Sequence, residues 1–65
     1  MKYVYLLVNG SDWEDMIIFL TPDEAINASI EYPNSRVEIF SKTDIGYKPT
    51  YNFYRNGRVY YSLNI

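Results

Sequence analysis

The sequence predicts an α+β domain: a small antiparallel sheet in β-β-α-β-β-β order with one helix packed on one face. Two apolar runs separated by a turn signal at Asn9-Gly10 predict the first hairpin. The stretch TPDEAINASIEYPN carries the start and stop signals of one helix. The rest of the chain alternates apolar with polar residues and turns again at Asn56-Gly57, which predicts a closing hairpin. No repeat, linker or low-complexity segment interrupts it, so residues 1–65 read as a single domain.

The first strand spans Tyr3 to Val8, all aromatic, branched or leucine. Val4, Leu6 and Val8 share one face, and Tyr3, Tyr5 and Leu7 share the other. Two apolar faces predict a central strand or one with a covered second face. The run also resembles the start of a signal peptide, but it is short and tyrosine-interrupted and has no small-residue cleavage site. The second strand is expected over Glu14 to Leu20, antiparallel to the first across a short loop. Trp13, Ile17 and Phe19 then share a face.

The helix is expected over Pro22 to Glu31. Thr21 suits the N-cap, Pro22 the first helical position, and Glu24 the third position of a capping box. Ile26 and Ile30, flanked by Ala25 and Ser29, predict a narrow apolar stripe. Tyr32 precedes Pro33 and should leave helical geometry. SRVEIFSK returns to strand, and TDIGYKP reads as a loop with Gly46 and Pro49 as breakers. TYNFYR and RVYYSL then pair across Asn56-Gly57. A two-residue turn sets Arg55 against Arg58, Tyr54 against Val59 and Phe53 against Tyr60. Tyr51, Phe53 and Tyr60 would share a face with both arginines, and Tyr54, Val59, Tyr61 and Leu63 the opposite face.

A chain this short buries only roughly 60% of its unfolded surface. Without Cys or His, disulfides and the usual zinc sites are excluded. Dense aromatic packing, at 18% of residues, or self-association must supply the missing stability. The formal charge of −2 argues against a general attraction to phosphate backbones. No segment approaches the roughly 18 apolar residues of a membrane-spanning helix.

The same absences remove the familiar triads and thiol mechanisms, and no catalytic residues, cofactor or metal are expected. The densest carboxylate cluster is Asp12, Glu14 and Asp15, whose spacing matches no calcium loop. It reads as a solvated strand end. The glycines are isolated in turns, so no phosphate loop exists.

The residues left over for recognition are Trp13, Tyr51, Phe53, Arg55, Arg58, Tyr60 and Tyr61. As a sheet platform they could stack bases and meet phosphates, which gives single-stranded nucleic-acid binding as an alternative. The acidic balance of the chain favours protein contact instead. The last strand lacks any charge beyond Arg58, so a homodimer in which the Arg58–Leu63 segment pairs or packs across the interface is expected.

The run WEDMIIFLTPDEAINASIEYPNSRVEIF, followed by PTYNFYRNG, resembles small uncharacterised proteins of large double-stranded DNA viruses of eukaryotes. The similarity covers most of the chain after Gly10 and includes no catalytic motif. It implies a viral accessory protein in host cytoplasm, acting on a host or viral protein. A minor virion structural component is a further alternative. The expected function is a non-catalytic protein-interaction module.

Overall fold

The computed structural model describes residues 2–10 and 12–62. It shows the expected α+β architecture. The elements are β1 (Tyr3–Val8), a 3-10 turn (Trp13–Asp15), β2 (Met16–Phe19), α1 (Pro22–Glu31), β3 (Val37–Thr43), β4 (Gly46–Arg55) and β5 (Arg58–Tyr60). The five strands form one antiparallel sheet in the order β2-β1-β3-β4-β5. β1, β3 and β4 are interior strands, so β1 is flanked on both sides, as its apolar run predicts.

The helix forms where its local signals place it. Thr21 has extended backbone, and its side chain accepts the Glu24 N–H at 3.3 Å. Its hydroxyl also donates to Glu24 Oε1 at 3.0 Å, a side-chain bond in place of the backbone N–H bond of a full capping box. At the other end Tyr32 leaves helical geometry and donates its N–H to the Ala28 carbonyl at 2.9 Å. Thr21→Ala removes the cap and should lower stability by about 1 kcal/mol. An unchanged midpoint in urea denaturation would mean that the Thr21 hydroxyl contributes nothing to the helix.

The buried side of the helix differs from the Ile26–Ile30 stripe. Ala25, Ala28 and Ser29 are buried, Ile26 is half-buried and Ile30 is 53% exposed. Small residues let the helix approach the sheet closely, and the sheet supplies the bulk. The core is Tyr5 and Leu7 from β1, Val37 and Ile39 from β3, and the two helix alanines, with Phe19 and Tyr54 packed against them. Ser29 is polar and fully buried, yet satisfied: its Oγ donates to the Ile26 carbonyl at 2.7 Å and accepts the Gly57 N–H at 2.9 Å. This second bond ties the helix to the β4–β5 turn.

That turn has the predicted register, with Arg55 opposite Arg58, Tyr54 opposite Val59 and Phe53 opposite Tyr60. Asn56 and Gly57 both have positive φ, 50° and 81°, as a tight hairpin of this type requires. Gly57 is also confined sterically, since a Cβ there would stand 3.1 Å from Ile30 Cγ1.

Three strand boundaries differ from the sequence reading. Trp13, Glu14 and Asp15 form the 3-10 turn, so β2 begins only at Met16. The Asp15 N–H bonds back to the Asp12 carbonyl at 3.0 Å, holding that turn. The supposed loop at Gly46–Pro49 is the start of β4. Pro49 is tolerated because β5 pairs only with Phe53–Arg55, leaving the earlier part of β4 at the sheet margin among the described residues. The last strand ends at Tyr60, and Tyr61 and Ser62 lie beyond it. The Ser62 N–H donates to Asn52 Oδ1 at 3.0 Å. Leu63, expected in this strand, lies outside the described residues.

β4 also carries a bulge. Between the pairs Glu38–Phe53 and Phe40–Pro49, β3 supplies only Ile39 while β4 supplies Thr50, Tyr51 and Asn52. Tyr51 takes up the irregularity with φ 69°. The Thr50 hydroxyl donates to the Ile39 carbonyl at 2.8 Å and accepts the Asn52 N–H at 3.1 Å, replacing the missing ladder bonds.

Candidate interaction face

One helix of ten residues covers one face of the sheet, and the opposite face has no element over it among the described residues. Antiparallel partners share a face. The pairs Leu6–Ile18, Val4–Phe40, Lys42–Tyr47 and Phe53–Tyr60 therefore identify the open side. Its centre is a shallow depression of about 320 Å³ lined by Val4, Leu6, Ile18, Phe40 and Tyr47, all apolar or aromatic. Ile18 alone is 64% exposed.

The rim toward β5 is aromatic and cationic. Phe53 and Tyr60 stack with ring centroids 5.2 Å apart and planes 12° from parallel. The Arg36 guanidinium lies 4.4 Å from the Phe53 centroid and bonds Glu38 at 2.8 Å. The Lys42 ammonium lies 5.3 Å from the Tyr47 ring. Strand alternation puts Arg55 and Arg58 on the same side as Phe53 and Tyr60. Glu38 is the one acidic residue in the five strands. Asp23, Glu24 and Glu31 lie on the helix, behind the sheet. The molecule is mildly acidic in total, but on the open face Arg36, Lys42, Arg55 and Arg58 stand with Glu38, the strands' one carboxylate, which Arg36 pairs; Asp12, Glu14, Asp15 and Asp44 lie in the connections.

The sequence-predicted site residues divide among three places. Phe53, Arg55, Arg58 and Tyr60 gather on the open face. Tyr61 lies on the helix side, in a groove of about 310 Å³ with Tyr3, Tyr5, Asn52 and Tyr54. Tyr51 is taken out of strand alternation by the bulge and does not join the Phe53–Tyr60 stack. Trp13, 77% exposed on the 3-10 turn, precedes β2 at the far edge of the sheet from β5. The sequence reading did not assign Val4, Leu6, Ile18, Phe40 or Tyr47 to recognition. The apolar character of both faces of β1 is their signal, because a single short helix cannot cover both sides of a sheet.

On the helix side, burial pushes the Tyr5 phenol above its ordinary pKa, with Tyr54 and Tyr3 adding to the shift. Burial raises Tyr54 likewise, with a contribution from Tyr61. The two rings lie 6.0 Å apart, so an ion on one disfavours an ion on the other. A phenol with a raised folded pKa contributes stability that is intact below the unfolded value near pH ~10. That contribution is lost as pH climbs through the folded value. Stability should therefore decline above pH ~10, with two phenols ionising late in an absorbance titration. Simultaneous ionisation of all the tyrosines in the native protein would contradict their burial.

Among the described residues, no helix is long and apolar enough to cross a membrane. No family model, curated protein or solved structure matches the chain.

Proposed function

We propose that the chain is a non-catalytic protein-interaction module that binds a host or viral protein through the open face of its sheet. The supporting observation is the pairing of an uncovered apolar depression with an aromatic, cationic rim on one side of the molecule. An apolar face of this kind is stabilised by cover. The rim fits a partner that presents carboxylates beside apolar side chains. The resemblance to small proteins of large double-stranded DNA viruses supports an accessory role in host cytoplasm. Self-association is part of this reading.

Single-stranded nucleic acid is a second reading, favoured by the stacked Phe53–Tyr60 pair and its arginines. It leaves the aliphatic half of the face, Val4, Leu6 and Ile18, without a use. The two readings separate by experiment. The native chain should retain a defined protein from host lysate, and Phe40→Lys, a change at the centre of the face, should lose it with unaltered circular dichroism. Fluorescent single-stranded oligonucleotides should not bind even at low salt. Binding that weakens steeply with added salt would replace the protein reading with the nucleic-acid one.

A further inference from the structure

The sheet has two edges, and they are guarded differently. On the β5 side the edge strand is only three residues long and begins at Arg58, directly opposite Arg55. The adjoining margin of β4 carries Lys48, Pro49 and the Tyr51 bulge. Short length, charge, proline and a bulge are the devices that prevent an edge from pairing with another molecule. Within β2 itself none of these devices stands beyond its short length, and the nearest charges, Glu14 and Asp15, lie on the 3-10 turn before it. Met16, Ile17, Ile18 and Phe19, continued by Leu20, contain no charge and no proline. Met16, Ile17, Ile18 and Leu20 are all exposed. β1 occupies one side of β2, and no strand pairs with its outer side among the described residues.

We infer that β2 pairs antiparallel with β2 of a second copy about a two-fold axis, building a continuous ten-stranded sheet from two five-stranded ones. The axis must stand perpendicular to the sheet, because only then do two identical antiparallel strands lie side by side. Residues on one face then meet residues on the same face. Centring the axis on Ile18 sets Ile18 against Ile18, Ile17 against Phe19, and Met16 against Leu20, so every opposed pair is apolar. The open faces of the two copies become one apolar surface, with the two Ile18 residues meeting at the axis and Leu6 one strand inward in each copy. The assembly closes at two, because each copy has used its unguarded edge and the guarded β5 edge remains outside. This replaces the expected pairing through Arg58–Leu63. It rests on the interaction-module reading only for the self-association, not for the partner bound on the face.

Sedimentation equilibrium on the full chain tests it. The native chain should have dimer mass at tens of micromolar. Ile17→Lys, placed on the helix side of the strand so that the open face is untouched, should have monomer mass with native circular dichroism. Since the chain has no cysteine, a single Ile18→Cys should give a disulfide-linked dimer with oxidised glutathione. Directly opposed residues have Cα atoms about 4.5–5.5 Å apart, within disulfide reach. Tyr60→Cys, on the guarded edge, should give no disulfide-linked dimer under the same conditions. If Ile17→Lys fails to fold, the two cysteine variants decide. A native monomer, a dimer that survives Ile17→Lys, or cross-linking at Tyr60→Cys in place of Ile18→Cys would each overturn the inference. None of these results bears on Phe40→Lys, so loss of the dimer and loss of the partner-binding face are read separately.

Discussion

Leu7→Ala should remove much of the stability of this domain. Leu7 is fully buried in β1, between β2 and β3 and beneath the helix. Its neighbours in the core are Tyr5, Val37, Ile39 and the helix alanines. The alanines have no longer side chain that could swing into the space left behind. A leucine-to-alanine change in such a site costs about 2–5 kcal/mol, from lost burial and from the cavity. A domain of this length is stable by roughly 3–10 kcal/mol in total. The variant should therefore unfold at a much lower urea concentration and be partly unfolded at 37 °C. A loss below about 1 kcal/mol would mean that the core collapses around the gap, contrary to the close helix–sheet packing.

Ser29→Ala should have the second largest effect, although it deletes a single oxygen. Ser29 Oγ is the acceptor for the Gly57 N–H at 2.9 Å, the bond that ties the helix to the β4–β5 turn. Alanine fills the same space and leaves that part-buried N–H without a partner. Such an orphaned group costs about 1–3 kcal/mol. The effect should be local as well as global. The Gly57 amide should exchange its hydrogen much faster than in the native protein, with Arg55 and Arg58 disturbed alongside. Unchanged Gly57 exchange would show that water replaces the serine.

What was legible in the sequence was local. Thr21, Pro22 and Glu24 specify the start of the helix through contacts within one turn, and Tyr32-Pro33 specify its end in the same way. Asn56-Gly57 specify their turn and register through φ preferences of two residues. Features that depend on distant parts of the chain were not legible. Ile26 and Ile30 look like the buried stripe by periodicity, but the sheet is already filled by Tyr5, Leu7, Val37 and Ile39. The helix therefore presents Ala25, Ala28 and Ser29. Pro49 reads as a breaker until the strand order puts it at a margin where no N–H is needed. The same holds for the candidate site. Phe53, Arg55, Arg58 and Tyr60 fall together because a turn fixes them, whereas Phe40 joins Val4 and Ile18 only through the order of the strands.

A small anionic apolar probe can test whether recognition belongs to the open side of the sheet. Anilinonaphthalene sulfonate combines fused rings with one negative charge, the chemistry that the apolar depression and its cationic rim should accept. Amide and methyl chemical shifts recorded during its titration into the isotope-labelled chain report where it sits. Perturbations should concentrate at Val4, Leu6, Ile18, Phe40 and Tyr47 and extend toward Arg36 and Phe53. Perturbations confined to the helix-side groove of Tyr3, Tyr5, Tyr54 and Tyr61, with the open face silent, would contradict the assignment of the binding surface.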